Sequence, residues 1–367
     1  LLRDTEKTAF GPFRNGLVKV TAEGIERLDY ADMQQHCIWK GQIIQRDFRW
    51  CDEAEQSHFY RFPGNVCGGD SDRMQTFYTG IGYLLHNYNH PSKGQAVICY
   101  DEVIPDMDAP QGGTGKGLLA QGIKQIRKTV TIDGKKFDGD NRFAFQRVTK
   151  ETQVVVFDDI KTGFNFDRLN ALLTDGWSIE QKRIGEVFLP PEESPKVLIT
   201  SNTILDNQGS TRKRRQFILV FGDHYSSKIG TGVEQPIEEE HGCRFFTDDW
   251  DSEEWQRFDF LMVSCLQMYL QFGLVPWASE AVPTNQLRQQ VTDDFYDWVM
   301  GQEFETGIDY PTKQFLNGFK AVYCPGEDYK QRNFSNQMKH YARYRGWKIS
   351  FHAINKESRF TFSEPGI

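Results

Sequence analysis

Ala109-Pro-Gln-Gly-Gly-Thr-Gly-Lys-Gly-Leu-Leu119 is the most informative segment of this 367-residue chain. It follows an apolar run, Gln95–Tyr100, which predicts a buried strand, and it precedes a helical pattern from Gly117 to Lys128. A strand, a glycine-rich turn ending in Gly-Lys and a helix make the arrangement of a phosphate-binding loop. Glycines let successive backbone N–H groups point into one concavity, and the helix that follows turns its positive N-terminus toward the phosphates. The residues that we expect to bind the nucleotide are Gly112, Gly113, Thr114, Gly115, Lys116, Gly117 and Leu118.

Lys116 is the side chain that we expect to reach the β- and γ-phosphates, as a mobile point charge. The stretch departs from the pattern G-x-x-x-x-G-K-[ST] at two positions. Pro110 stands where a glycine is expected, and Gly117 stands where Ser or Thr supplies a hydroxyl to Mg²⁺. The alternative interpretation is a glycine-rich surface loop beside a solvated lysine.

Composition narrows the class of protein. The net charge is −8, 38% of the residues are hydrophobic and 14% are aromatic, which indicates packed domains rather than extended disorder. No apolar run approaches the roughly 18–20 residues that span a bilayer. The chain starts without a Met or a signal peptide, so we expect a piece of a longer protein and a cytoplasmic location.

The cysteines and histidines do not indicate a metal site or a disulfide framework. Seven cysteines are scattered without a C-x-x-C pair, which favours a reducing compartment. A site made of His36, Cys37, Cys51 and His58 would have a spacing that fits no standard metal site.

A second strong signal is the run Thr152–Ile160, which contains Val-Val-Val-Phe followed by Asp158 and Asp159. Such a run is typical of a central parallel strand that is buried on both faces. Carboxylates at its end would lie beside the phosphate loop of the same sheet. We expect Asp158 to hold Mg²⁺ and Asp159 to orient or deprotonate the attacking water. Taken alone, two aspartates after a strand are more often an ordinary turn.

Three further features follow along the chain. The segment 177–188 alternates like a hairpin, with its tip near Lys182 and Arg183. The apolar run Lys196–Thr200 predicts another buried strand, and Asn202 just beyond it can hydrogen-bond the γ-phosphate or the attacking water. A basic cluster, 211–215, precedes the predicted strand 216–221, and it is either a solvated edge or a set of arginines aimed at a neighbouring subunit's phosphate.

The order of helices and strands predicted in the C-terminal part is typical of a winged helix-turn-helix domain. Helices are predicted at 293–300, 313–321 and 333–345, and a pair of strands at 347–351 and 358–362. A basic third helix with a hairpin wing is one way in which such domains approach DNA, and a small protein-binding or packing domain is the alternative. A linker is expected at 276–284.

Lys116, Asp158-Asp159, the hairpin, Asn202 and the arginines resemble, in their order, superfamily 3 helicases, which are AAA+ ring ATPases of viruses, phages and mobile elements. The resemblance covers about residues 72–222 and is greatest to the helicase part of phage and plasmid primase–helicase proteins. It implies an α/β fold: an AAA+ type P-loop NTPase core with a parallel central sheet at 72–275, after a small β-rich module at 1–71 and before a winged-helix domain at 286–367.

The resemblance also implies roles for these residues. Asn202 would be the γ-phosphate sensor, Lys182 and Arg183 would grip single-stranded DNA on a pore hairpin, and Arg214 or Arg215 would act in trans as an arginine finger, with Arg212 as runner-up. The function so implied is an ATP- and Mg²⁺-dependent DNA helicase that moves 3′ to 5′ on single-stranded or forked DNA as a hexameric ring, in a phage or mobile element and with an upstream primase region or partner. No membrane partner is expected. The alternatives are an ATP-binding replication initiator or scaffold with little turnover, and a ring ATPase that works on protein or in phage defence.

Overall fold

The structure is a computed structural model that describes residues 1–33, 36–90, 92–104, 112–161, 163–205, 210–326 and 328–364. The chain divides into two compact units, Leu1–Ala278 and Ser279–Ile367. Each unit has a hydrophobic core of its own. In the described ranges, no helix combines the length and the apolar character needed to cross a membrane.

The first unit is a mixed α/β structure around a five-stranded parallel sheet. Its helices and strands are β1 (Thr8–Phe13), β2 (Gly16–Thr21), β3 (Ile25–Leu28), α1 (His58–Val66), α2 (Ser71–Leu85), β4 (Ala96–Asp101), α3 (Lys116–Ile126), β5 (Thr129–Asp133), β6 (Val154–Ile160), α4 (Asp167–Thr174), β7 (Trp177–Gln181), β8 (Gly185–Leu189), β9 (Lys196–Ser201), α5 (Ser210–Arg215), β10 (Gln216–Phe221), α6 (Pro236–His241) and α7 (Ser252–Phe272).

The central sheet has the strand order β10–β4–β9–β6–β5. All six residues of β4 and all six of β9 are buried, as expected for parallel strands that are covered on both faces. The connection after β4 leads past β9 and β6 to the edge strand β5, whereas the connection after β9 leads past β4 to β10. The carboxyl ends of β4 and β9 therefore flank the switch point, where open α/β sheets bind their ligands.

Helices α2 and α7 pack against each other and cover part of the sheet. Asp70 and Asp251 cap their first turns by accepting hydrogen bonds from backbone N–H groups. The two helices approach closely at Gly82, where an added Cβ would lie 2.1 Å from the Cys265 carbonyl oxygen. The close packing of α2 against α7 therefore requires glycine at position 82, which the helical sequence pattern does not indicate.

The N-terminal residues form a three-stranded antiparallel sheet, β1–β2–β3, followed by α1. Phe13 and Val18 of this sheet belong to the same buried cluster as Phe77 of α2 and Phe258 of α7. The N-terminal sheet is thus packed on the core of the first unit. The boundary expected between residues 71 and 72 stays a prediction.

The second unit is built on an aromatic core that includes Phe295, Trp298, Phe334 and Phe360. Its sheet is antiparallel, with the strand order β11–β13–β12. Its helices and strands are α8 (Ala281–Gln290), α9 (Asp293–Met300), β11 (Asp309–Pro311), α10 (Thr312–Tyr323), α11 (Gln331–Tyr344), β12 (Lys348–Ile354) and β13 (Glu357–Ser363).

The buried strands β4, β6, β9 and β10, the hairpin β7–β8 and the helix α3 are confirmed close to their predicted bounds. The linker expected at 276–284 is wrong in its second half, because α8 begins at Ala281. The basic cluster 211–215 forms a short helix, α5, rather than an edge of the following strand. Helix α1 was not predicted, because its nine residues include Pro63 and Gly64, which weaken a helical pattern.

Candidate nucleotide-binding site

The glycine loop runs from the carboxyl end of β4 into the first turn of α3. Gly113 and Gly115 have backbone φ angles of 101° and 103°, which residues other than glycine rarely adopt. An added Cβ at Gly115 would also lie 2.5 Å from the ring of Phe62, so this position has space only for glycine. Residues 109–111 of the predicted loop lie outside the described residues. The described part has the open backbone and the helix start that anion binding requires.

Lys116 is the first residue of α3 and is only 8% exposed. Its ammonium forms an ion pair with the carboxylate of Asp101 and donates a hydrogen bond of 2.8 Å to Oδ1 of Asn202. The hydroxyl of Thr114 donates to the other oxygen of Asp101 at 2.6 Å. Asp101 and Asn202, which lie far apart in the sequence, are thereby both held on one lysine.

Asp101 was not among the predicted site residues. It is the last residue of β4, is 3% exposed, and binds both Thr114 and Lys116 of the glycine loop. The sequence signal that would have found it is the one used for Asp158, a carboxylate at the end of a wholly apolar strand. Further acidic residues follow it in the segment 101–108, of which 105–108 lie outside the described residues.

Asp158 and Asp159 lie at an irregularity near the end of β6, where the register with β9 shifts between Phe157 and Ile160. Asp159 has a φ of 53°, in the left-handed region that aspartate tolerates better than most residues. The hydroxyl of Thr200 donates to Asp158 at 2.8 Å and accepts a hydrogen bond of 2.8 Å from the backbone N–H of Asp159. The two carboxylates are therefore positioned by the neighbouring strand.

The carboxylate of Asp159 connects this pair to the glycine loop. It accepts a hydrogen bond of 3.2 Å from the amide of Asn202, whose oxygen binds Lys116. It also forms an ion pair of 2.5 Å with Lys135, which raises the pKa of that lysine and keeps its ammonium charged. Lys116, Asn202 and Asp159 thus form one hydrogen-bonded chain across the ends of β4, β9 and β6.

The carboxylates of the site fit a metal ion that binds together with the phosphates of a nucleotide. They do not form a metal site made of protein ligands alone. Among the described residues, no group of three or more His, Cys, Asp or Glu side chains could hold a metal ion. Mg²⁺ is commonly bound through one or two carboxylates together with phosphates and water, and Asp158, which is exposed, can supply such an oxygen. Gly117 is also exposed, and an added Cβ there would meet nothing within 4 Å. Space for the missing hydroxyl is therefore present.

The three basic candidates on α5 differ in their surroundings. Arg215 is buried and donates a hydrogen bond of 2.8 Å to the Gly94 carbonyl oxygen, and burial lowers the pKa of its guanidinium. Arg212 forms an ion pair with Asp167, with a distance of 2.7 Å from its Nε to the carboxylate. Arg214 is exposed. Its side chain is the one of the three whose surroundings suit contact with another molecule.

The hairpin β7–β8 has a solvent-exposed tip, and the residues at its two ends are buried. Trp177 and Leu189 are fully buried where the strands begin and end, whereas Ile184 at the tip is 75% exposed. Lys182 and Arg183 are exposed beside it, and Arg183 has a φ of 68°, as the tight turn requires. A basic and apolar surface therefore projects from the first unit.

An aromatic ring beside this tip adds to the surface. Phe143 lies 5.4 Å from the ammonium of Lys182 and 4.6 Å from the guanidinium of Arg142, distances typical of cation–π contacts. Phe188, on the hairpin itself, is 57% exposed. The sequence predicted the basic residues at the tip but not these aromatic neighbours.

Comparison with known proteins adds little to this geometry. No protein-family model matches the chain, and no curated protein matches it. Among the solved structures that resemble it are two of the C-terminal region of NrS-1 in an apo A form. One is 12% identical and covers 95% of this chain and 94% of its own, with a TM-score of 0.41. The other, of residues 305–718, is 13% identical and covers 97% and 96%, with a TM-score of 0.41. Because both TM-scores are below 0.5, these two structures support no conclusion about the function of this chain.

Proposed function

We propose that this chain is an ATP-hydrolysing DNA helicase or translocase, built on an AAA+ type core, that acts as a ring in the replication of a phage or mobile element. The observation that carries the proposal is the chain of contacts Lys116–Asn202–Asp159 at the switch point of the parallel sheet. It joins a lysine at a glycine loop, a polar strand-end residue and a carboxylate, the three groups that phosphoryl transfer needs.

In the proposed reaction, the loop and Lys116 bind the β- and γ-phosphates at the N-terminus of α3. Asn202 and Asp159, already hydrogen-bonded to each other, orient the attacking water, and Asp159 accepts its proton. The water oxygen bonds to the γ-phosphorus while the bond from that phosphorus to the β,γ-bridging oxygen breaks, so that ADP and phosphate are the products. Mg²⁺ held by Asp158 would neutralise charge on the phosphate oxygens. Arg214 of a neighbouring subunit adds positive charge to the transferring group, and such a charge acts mainly on the transition state.

The DNA-binding part of the proposal rests on the hairpin tip. Lys182 and Arg183 contact phosphates, while Phe188 and Ile184 offer apolar surface to the bases. Binding of this kind has weak sequence preference and falls steeply with salt. The resemblance to superfamily 3 helicases supports movement from 3′ to 5′.

The second unit is proposed to be a winged-helix domain. After α8, its helices and strands follow the order α9–β11–α10–α11–β12–β13 and end in an antiparallel hairpin. Strand β11 pairs with β13, the second strand of that hairpin and the central strand of the sheet. A short strand between helices and a terminal hairpin are the features that support this assignment.

The decisive experiment is the ATPase rate with and without single-stranded DNA. Lys116→Ala is expected to lower the rate at least about a hundredfold, because it removes charge stabilisation of the kind whose loss costs roughly 3–4 kcal/mol. Lys124→Ala is the matched control, since Lys124 is an exposed lysine on the same helix. Equal rates in the wild type and Lys116→Ala would contradict the proposal.

A second candidate function is an ATP-binding replication initiator or scaffold with little turnover. The observation that favours it is Gly117, which leaves the loop without the usual hydroxyl for the metal. In that case the wild type would bind an ATP analogue in a Lys116-dependent way and yet show a rate close to that of Lys116→Ala. Unwinding of a forked DNA duplex distinguishes the proposed helicase from a ring ATPase that acts on protein, because such an ATPase would not unwind DNA.

A further inference from the structure

A cavity of about 120 Å³ lies between the N-terminal sheet and the amino ends of β6 and β9. Its polar walls come from residues 150–153, which precede β6, and from residues 192–194, which precede β9. The glycine loop and Asn202 follow the carboxyl ends of strands in the same sheet. Because β6 is seven residues long, the two places are separated by roughly 20 Å of strand. The cavity is therefore distinct from the proposed ATP site.

The side chain of Gln153 lines the cavity and has an unused hydrogen-bond donor. It is only 7% exposed, and its Oε1 accepts a hydrogen bond of 2.9 Å from the backbone N–H of Lys128. That bond identifies which end of the amide is the nitrogen. The Nε2 makes no hydrogen bond within the described part of the chain. Because an enclosed N–H group without a partner is costly, this position favours a ligand that brings an acceptor.

A second glutamine on the cavity wall supplies a free acceptor. The Nε2 of Gln42 donates a hydrogen bond of 3.1 Å to the Glu151 carbonyl oxygen, which places this side chain beside the segment 150–153. Among the described residues, no group donates a hydrogen bond to the Oε1 of Gln42. The cavity therefore offers one N–H donor and one carbonyl acceptor from neighbouring segments.

The remaining walls are mostly apolar and include two aromatic rings. Phe10 of β1 and Trp39 line the cavity together with Leu17 and Ile38, and Trp39 is 36% exposed. In the ranges that the structure describes, neither Phe10 nor Trp39 contacts another aromatic ring. An aromatic ring without such a neighbour can stack on a planar ligand.

We propose that this cavity binds a pyrimidine base with an amide edge, which is thymine or uracil. Gln153 donates to a ring carbonyl oxygen, Gln42 accepts from the ring N–H beside it, and Trp39 stacks on the ring. The volume of about 120 Å³ is about four times the share of a water molecule in the liquid. It therefore suits one six-membered ring better than a purine or a drug-sized ligand.

The charges at the cavity argue against two other classes of ligand. Three carboxylates line it against two cations, Arg3 and Lys150, and Arg3 already forms an ion pair of 2.6 Å with Glu193. A ligand led by a phosphate group would therefore be repelled. A purely apolar ligand would leave the buried amide of Gln153 without an acceptor. The three carboxylates are those of Asp4, Glu192 and Glu193.

The test is isothermal titration calorimetry of the full chain with thymidine and with 3-methylthymidine, which lacks the ring N–H. The methylated nucleoside is expected to bind at least about fivefold more weakly, because Gln42 is then left without its donor. Trp39→Ala is expected to weaken thymidine binding roughly 5- to 150-fold, the range that follows removal of an aromatic ring that stacks on a base.

Four variants make this result specific. Trp50→Ala and Gln45→Ala remove another exposed tryptophan and another exposed glutamine of the first unit, and neither should change thymidine binding. Gln42→Ala should abolish the preference for thymidine over 3-methylthymidine, an effect that a merely structural role would not produce. Lys116→Ala should keep the binding, since the cavity lies away from the glycine loop. Circular dichroism shows whether each variant is folded.

The base can come from a free nucleoside or from single-stranded DNA, and oligothymidylate distinguishes these two sources. For this measurement the chain carries Lys182→Ala and Arg183→Ala, so that the proposed contacts of the hairpin tip do not contribute. If Trp39→Ala weakens the binding of both oligothymidylate and thymidine, the base belongs to single-stranded DNA. If it weakens only the binding of thymidine, the ligand is a free nucleoside.

Four outcomes would overturn the proposal. The wild type could fail to bind thymidine, or it could bind thymidine and 3-methylthymidine equally well. Thymidine binding could also be unchanged in folded Trp39→Ala, or be lost in folded Lys116→Ala. Because the assay contains no ATP and measures binding rather than turnover, a failure here leaves the proposed ATPase function untouched, and a failure of the ATPase test leaves this proposal untouched.

Discussion

Asp101 and Lys116 form a buried ion pair beside the glycine loop, so a phosphate group that binds there has to share the lysine with that carboxylate. Thr114 holds the other oxygen of Asp101 and thereby fixes its direction. Burying one charge without its partner is costly, so Asp101 keeps the ammonium of Lys116 in place. Asp101 is a positioning residue in this interpretation and does not touch the reacting atoms.

Asp101→Asn is expected to lower the free energy of unfolding by about 3 kcal/mol, the cost of leaving a buried charge unpaired. A bound ATP analogue restores negative charge beside Lys116, so it should raise the unfolding temperature of Asp101→Asn more than that of the wild type. Asp140→Asn, which breaks the exposed ion pair with Arg168, is the control and should change little. An equal or smaller nucleotide-induced shift in Asp101→Asn would contradict this role.

Gly117→Ser tests whether the missing hydroxyl limits metal binding. The position has open space and lies in the first turn of α3, so the serine should fit without strain. One added oxygen ligand worth roughly 1 kcal/mol would lower the Mg²⁺ concentration for half-maximal ATPase activity about fivefold. Gly112→Ser, on the same loop and with equal space, is the control. No change in the Mg²⁺ requirement would mean that Asp158 and water suffice.

In the hairpin β7–β8, the residues that stabilise the element differ from those that are proposed to bind DNA. Its buried ends at Trp177 and Leu189 stabilise it, while its tip contributes exposed charge and apolar surface. Changes at the tip should therefore alter DNA binding without altering the stability of the first unit.

Lys182→Ala together with Arg183→Ala is expected to reduce the salt slope for single-stranded DNA by about 1.4, near 0.7 for each phosphate that these side chains neutralise. Phe188→Ala should instead weaken binding by about 1–3 kcal/mol with little change of slope, because stacking does not release ions. Fluorescence anisotropy with a labelled oligonucleotide measures both. The Lys40→Ala and Lys124→Ala pair serves as the control, and a slope that falls equally there would refute a specific role for the tip.

At the scale of the whole molecule, the proposed arginine finger requires a second copy of the chain. Arg214 is exposed on α5, whereas Arg215 contacts carbonyl oxygens of its own chain. Head-to-tail interfaces close into rings when the rotation between neighbouring subunits closes, and in the proposed ring each site would combine residues from two subunits.

Mixing inactive variants tests this arrangement. Lys116→Ala and Arg214→Ala should each be nearly inactive alone, but an equal mixture should recover about a quarter of the wild-type ATPase rate, since that share of interfaces in a random ring combines both intact residues. Lys213→Ala, an exposed neighbour on α5, should remain active. A mixture no more active than its parents would exclude a shared site built on Arg214.

The elements and the site differ in how far sequence patterns predicted them. The glycine loop, Asp158-Asp159 and Asn202 were predicted because each follows an apolar run that marks a buried strand. Asp101 was missed because it is one of four acidic residues in the segment 101–108, and Lys135 because it lies in a polar segment with a second lysine beside it. The burial of Arg215 was also invisible, since adjacent arginines on a short helix look alike in a sequence.

Continuous apolar runs, glycines and helical spacing act over a few residues. For this reason the sequence was sufficient to predict the buried strands, the glycine loop, the hairpin β7–β8 and the helix α3. Only the tertiary structure decided that the strands lie in the order β10–β4–β9–β6–β5, and that Lys116 therefore meets Asp101 and Asn202. The physical reason is that these contacts join residues up to 86 positions apart, and they exist only because burial of the whole sheet brings its strand ends together.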